Sequence, residues 1–269
     1  MAFEQILYGV KDRIATVTLN RPDRMNTWTD TMSTEVYEAM HKAGGDREVR
    51  VIVLTGAGKA FCAGADVGGM EKNDPAMLPY KLPRTFDMNR RADYQTRHTW
   101  YPDVPKPIIA MLNGATAGLG LMQALCCDLR FAAEDVTFST AFSRIGLSAE
   151  YGAAWMLTRL VGQANALDLL MSARRIKAPE AMRMGLVNQV HSADKLADAT
   201  YAYARDLAEN CSPRSMRMMK KMVYEVPFQT LAEAVIMAND DMVVSNASDG
   251  FREGTRAFME KRKPVWPDE

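Results

Sequence analysis

The chain has 269 residues, 48% hydrophobic and 25% charged, an ordinary balance for a globular protein able to bury a sizeable core as one large domain or a domain with a small appendage. Lys+Arg and Asp+Glu stand at 33 each, so no net field directs it toward nucleic acid or an anionic membrane. The opening MAFEQILYGVKDR has no apolar h-region, no apolar run reaches membrane-spanning length, and Cys62, Cys126, Cys127 and Cys211 lack disulfide-framework spacing, which predicts a cytoplasmic protein in a reducing compartment.

In chain order, RIATVTLN alternates as a strand does and NRPDR ends it. A helix is predicted from about Thr29, with Met32, Val36 and Met40 on one face. VRVIVLTGAG reads as a buried strand running into a glycine turn, FCAGADVGGM follows, and residues 72–105 resist assignment and suggest a functional loop or lid. KPIIAMLNG repeats the strand-to-glycine design, with AGLGLMQALCC behind it as an almost wholly apolar helix. LRFAAE and VTFS read as short strands, and the βαβ rhythm predicts a largely parallel α/β core. After about Gly152 the chain reads as helix upon helix, interrupted only by LVNQVH as a possible strand.

Two stretches carry the chemistry. FCAGADVGGM and NGATAGLGLMQALCCD each leave a strand, turn through glycine and enter a helix, which aims free backbone N–H groups at one point and suits an oxyanion or a phosphate. Taken singly, such glycines only permit tight turns and close packing; two exits on adjacent strands favour a paired oxyanion hole. Neither stretch is a P-loop, and neither gives GxGxxG followed by a ribose-binding acid. GATAG resembles a nucleophile elbow around Thr116 but lacks serine and a downstream Asp and His pair. His41, His98 and His191 form no HExxH, and no CxxC occurs, so no metal site is predicted. Asp66 and Asp128 stand beside turns, where acids are commonly structural. Glu150 is a lone acid in SAEYG: it is paired, exposed near the start of the next helix where the macrodipole favours it, or at work as a base.

NRPDRMN, VRVIVLTGAGKAFCAGADVGGM, KPIIAMLNGATAGLG, MQALCCDLRFAAEDVTFS, RLVG, AMRMGLVNQV and FMEKRK follow one another as in the crotonase superfamily, the enoyl-CoA hydratase/isomerase family, which this chain resembles over almost its whole length. The resemblance implies a spiral of ββα units over residues 1–200 and a helical C-terminal oligomerisation region over 201–269, assembled as trimers or dimers of trimers. It implies an acyl-CoA thioester substrate, with coenzyme A as part of that substrate and no further cofactor. The thioester oxygen would be held by the N–H groups of Ala65 and Leu119, with Ala63, Gly64, Asp66, Met70 and Gly118 around it. Relatives often have glycine where Leu119 stands, so its side chain could narrow the pocket. Arg24 and Met25 occupy the start of the family's adenine pocket, or a simple turn. Phe258 and Lys261 match positions that approach the CoA of a neighbouring subunit, or belong to a solvated basic helix.

The two glutamates of the family's hydratases are replaced by Met122 and Phe142, neither able to transfer a proton. Eight residues beyond Phe142, Glu150 occupies a third position at which several relatives carry their working acid. Enclosed by Met122, Phe142, Tyr151 and Trp155, it would have a raised pKa, as a proton shuttle requires. The resemblance therefore implies Δ3-Δ2 enoyl-CoA isomerisation with Glu150 as single base. Its alternatives are hydration by Glu150 and water, a hydrolytic or dehalogenating attack with Gln95 or His98 nearby, and a non-catalytic CoA-binding member. Tyr94 and Trp100 would line the acyl pocket or merely fill the core.

Overall fold

The computed structural model describes residues 3–66, 87–88 and 91–267. Its elements run β1 (Ile6–Lys11), β2 (Ile14–Leu19), α1 (Asp30–Gly45), β3 (Val51–Gly56), β4 (Ala60–Cys62), β5 (Ile108–Leu112), β6 (Ala115–Ala117), α2 (Leu119–Cys126), β7 (Leu129–Ala133) and β8 (Thr137–Ser139). There follow α3 (Ala153–Ser172), β9 (Ile176–Lys177), α4 (Ala178–Arg183), β10 (Gln189–His191), α5 (Leu196–Asn210), α6 (Pro213–Glu225), α7 (Leu231–Ala247) and α8 (Asp249–Glu260).

The strands form two sheets, ordered β1-β2-β3-β5-β7-β10 and β4-β6-β8-β9. Each of the pairs β3–β4, β5–β6 and β7–β8 gives its first strand to the larger sheet and its second to the smaller, so successive turns of chain advance one place along both. That is the ββα spiral. It also corrects the simpler reading of the glycine exits, because each passes through a three-residue strand, β4 or β6, before its turn. Such short strands in Ala- and Gly-rich sequence carry no alternation to detect. β1 escaped notice for a related reason: beyond Ile6 it is mostly exposed.

β3 and β5 are buried along their whole length, as parallel strands covered on both faces must be, and their continuous apolar runs follow from that. α1 begins where predicted, with Thr29 Oγ1 accepting from Met32 N at 3.0 Å. Its Met32, Val36, Ala39, Met40 and Ala43 are buried at helical spacing. α3 is one element bent at Gly162, whose φ of 76° and ψ of 163° interrupt the helix between RLVG and QANAL.

The C-terminal helices differ from the core. No residue of α6 or α7 is fully buried, and Leu231 and Val243 are 82% and 73% exposed. What ties α6 down is polar. Asp128 Oδ2 accepts from Lys220 Nζ at 2.8 Å and from Ile108 N at 2.7 Å, while Tyr224 OH donates to Oδ1 at 2.9 Å. Lys220 and Asp128 side chains are only 8% and 17% exposed, so the pair is nearly desolvated and its two halves depend on each other. Lys220→Met should therefore destabilise the fold by about 3 kcal/mol, the lower end for a broken buried pair because Asp128 keeps some solvent access. A urea midpoint unchanged from wild type would contradict this.

Among the described residues no helix is long and apolar enough to cross a membrane.

Candidate active site

The two glycine exits meet. β4 and β6 are neighbours in the smaller sheet, and a Cβ placed on Gly120 would lie 2.2 Å from Cys62 O, so the first turn of α2 can approach β4 only as glycine. In the first exit, Trp28 N donates to Gly64 O at 2.8 Å and Asp66 N donates to Trp28 O at 2.9 Å. A parallel bridge of this kind uses the groups on either side of Ala65 and turns Ala65 N–H to the opposite side. In the second exit, Gly118 takes φ 50° and ψ −123°, a conformation open to glycine alone, and offers no side-chain cap. Leu119 N–H therefore opens α2 without an intrahelical acceptor. A Cβ on Gly118 would stand 3.7 Å from Gly64 Cα, which puts the two turns side by side.

NRPDRMN is pinned against the first exit. Asn26 Nδ2 donates to Ala57 O and Ala60 O, both at 2.8 Å, Ala63 N donates to Met25 O at 3.1 Å, and Arg21 pairs with Asp66 at 2.9 Å. Arg24 and Met25 are exposed on the rim of this arrangement. The side chain of Leu119 is buried and belongs to the same apolar cluster as Met122 and Phe142. Met70 lies outside the described residues. Phe258, 85% exposed, and Lys261 are on and just after α8, whose contacts are with α7, and this chain does not bring them to the two exits.

Among the described residues Glu150 is neither a cap nor half of an ion pair. The N-cap of α3 is Gly152, without a side-chain cap, and it is the Glu150 carbonyl, not its carboxylate, that accepts from Ala153 N at 2.9 Å. Tyr151 and Gly152 both have left-handed φ, 52° and 79°, which folds the chain sharply between the carboxylate and the helix. Among the described residues nothing bonds the Glu150 carboxylate, and half-burial alone pushes its pKa above the ordinary 4.5. The expected enclosure is incomplete. Met122 and Phe142 are buried and Tyr151 is half-buried, but Trp155 is 44% exposed. It stacks on Phe228 from beyond α6, with ring centroids 6.0 Å apart and planes at 14°.

Beside Glu150 a cavity of about 540 Å³ begins at Tyr151 and Gly152. Tyr94, Thr96 and Thr99 come from the segment before β5, and Tyr224 and Phe228 close it from the C-terminal side. Tyr94 is therefore on the wall, whereas Trp100 is core, stacked on Tyr101. Gln95 hydrogen-bonds Asp87. His98 is buried, its Nδ1 accepting from Gln123 Nε2 at 3.0 Å, while Gln123 Oε1 accepts from Tyr101 OH at 2.7 Å. Burial lowers the His98 pKa to about 3, so the ring is neutral, packed edge to face against Tyr151 at 4.3 Å. Gln123 had given no sign of this role inside an apolar helix, and Tyr224 and Phe228 none inside a C-terminal helical region.

The chain matches the family profile for enoyl-CoA hydratase/isomerase over residues 9–269. It belongs to this family, within the crotonase superfamily. A 1,2-epoxyphenylacetyl-CoA isomerase of Escherichia coli K12 is 33% identical over 261 residues, 97% of each chain. A Rhodobacter capsulatus protein named "Probable enoyl-CoA hydratase" is 35% identical over 264 residues, 98% of each. The solved structure of an enoyl-CoA hydratase/isomerase from Mycobacterium paratuberculosis superposes with a TM-score of 0.88 at 29% identity, covering all of both chains. The fold is thus the crotonase fold, and the protein is an acyl-CoA enzyme of the isomerase or hydratase type.

Proposed function

We propose that this crotonase-family enzyme carries out Δ3-Δ2 enoyl-CoA isomerisation with one acid–base group. Glu150 removes a C2 proton from a 3-enoyl thioester, the electron pair moves to the thioester oxygen, and the resulting dienolate is held by Ala65 and Leu119 N–H. The same carboxyl returns the proton at C4, leaving the conjugated 2-enoyl thioester with no net gain or loss of atoms. The observation that carries this reading is Glu150 itself, a half-buried carboxylate with a raised pKa and no partner among the described residues, beside an apolar cavity, while Met122 and Phe142 stand at the other two acid positions. A single shuttling acid suffices for allylic isomerisation, whereas hydration ordinarily has two acids share the activation of water.

On this reading coenzyme A enters only as part of the substrate, and no further cofactor is used. Incubation with a 3-enoyl-CoA should raise the absorbance of the conjugated thioester. If that absorbance does not rise but is instead lost from added 2-enoyl-CoA, the reaction is hydration and the isomerase reading falls.

The apolar surfaces of α7 and α8 are read as the interface of a homotrimer or a dimer of trimers, in which Phe258 and Lys261 would reach the CoA of a neighbouring subunit. Exposed Leu231, Val243 and Phe251 support this. Sedimentation should give a mass of three or six chains; a monomer at micromolar concentration would rule it out. Its four free cysteines fit a reducing compartment, which supports reading the enzyme as cytoplasmic.

A further inference from the structure

We infer that the cavity beside Glu150 is built for an acyl group bearing an aromatic ring rather than for a linear alkyl chain. The inference rests on the reading above, that this site takes an acyl-CoA thioester. Five of the eleven described residues lining the cavity are aromatic: Tyr94, Tyr151, Trp155, Tyr224 and Phe228. Aromatic residues make up only 8% of the whole chain, and among the described residues no leucine, isoleucine or valine lies on this wall. The protein does build aliphatic cavities elsewhere. A second cavity of about 550 Å³, beyond the shared Trp155, Met156 and Tyr224, is lined by Leu125, Leu129, Leu160, Leu207 and Val223. The aromatic character is thus local to the space beside Glu150.

The rings are also held in place. Arg91 lies over both Phe228 and Tyr94, 4.5 Å and 4.7 Å from the ring centroids, and is itself paired with Asp93 at 2.8 Å and with Glu225. Arg159 lies over Trp155 at 4.8 Å, and Tyr224 is fastened through its hydroxyl to Asp128. Flat walls already fixed in orientation lose little side-chain freedom when a flat ligand enters. Each offset or edge-to-face ring contact then adds roughly two- to tenfold in affinity beyond area burial. A flexible alkyl chain gains only the area term and must itself be ordered. Room is ample: an apolar space of about 150 Å³ accepts benzene, so 540 Å³ holds a ring with the carbons that join it to the thioester.

The test is a titration by calorimetry of the full chain with 3-phenylpropanoyl-CoA, octanoyl-CoA and free CoA, all lacking the double bond that turnover needs. The arylacyl thioester should bind about tenfold more tightly than the octanoyl one. Tyr94→Leu and Phe228→Leu should each cut that ratio to about threefold, and the double variant should abolish it, with free CoA binding unchanged. Both rings stand at a solvent-accessible wall, so these changes empty no core position. Octanoyl-CoA binding as tightly as the arylacyl thioester, or a ratio unmoved by both substitutions, overturns the inference. If neither thioester binds better than free CoA, the acyl-CoA reading itself is wrong. An absent isomerase activity with the ring preference intact would remove only the proposed reaction.

Discussion

Glu150→Gln should lower kcat for 3-enoyl-CoA isomerisation by about 10²–10⁴-fold, the range ascribed to a positioned acid–base group, with KM within a few-fold of wild type. The amide fills the same half-buried place and leaves the cavity and the backbone donors untouched, but it cannot take a proton from C2. Among the described residues Met122 and Phe142 carry no acid, His98 is neutral with its Nδ1 engaged by Gln123, and Asp93 on the cavity wall is paired with Arg91. Activity within threefold of wild type would remove Glu150 from the mechanism. The pH profile gives a second reading of the same group. Only the ionised carboxylate can act as base, so kcat/KM should rise with pH along a limb centred above 4.5, because burial has raised the pKa.

Stability should move in the opposite sense. A carboxyl with a raised folded pKa favours the protonated folded state; that contribution is complete below the unfolded value and is lost as pH rises through the folded one. Glu150→Gln should then melt at the same temperature as wild type or higher at neutral pH, with any gap closing as the pH falls. A large loss of stability at neutral pH would mean that the carboxylate has a partner after all. Such a site stores a small instability for the sake of reactivity.

Gly118→Ala should reduce kcat by about 10²–10³-fold, the loss expected when one oxyanion donor is misdirected. The reason is conformational and not steric. A Cβ at this position would meet nothing closer than 3.7 Å, so there is space for a methyl group. The φ of 50° and ψ of −123° are the obstacle, costing an L-residue about 1–3 kcal/mol. Relaxing that strain turns the peptide plane between Gly118 and Leu119, and Leu119 N–H belongs to that plane. The variant should fold with a thermal midpoint lowered by a few degrees, bind saturated thioesters nearly as well, and fail mainly in turnover. A variant with normal kcat but poor binding would show that Leu119 N–H does not serve the reacting oxygen.

Much of the architecture was legible from local pattern. β3 and β5 announce themselves as unbroken apolar runs because both of their faces are covered, and α1 does so through its cap and spacing. The glycine exits could be recognised as converging donors, although β4 and β6 inside them could not, since three residues show no period. Leu119 shows where pattern stops. Its identity left open where the side chain goes; in the fold it is buried in the same cluster as Met122 and Phe142, while its N–H opens α2.

For Glu150, the sequence shows a lone acid in SAEYG, and the family resemblance implies that it stands at a working-carboxylate position while Met122 and Phe142 hold the other two. Whether that acid is capped, paired or available depends on neighbours from distant segments. The folded chain supplies these: a helix capped by Gly152 rather than by the carboxylate, a Trp155 drawn outward to Phe228, and a cavity walled by Tyr94 and Tyr224. Donors and strands are properties of contiguous backbone and can be read along it. The environment that raises a pKa or shapes a cavity is a sum over side chains brought together from far apart, and only packing performs that sum.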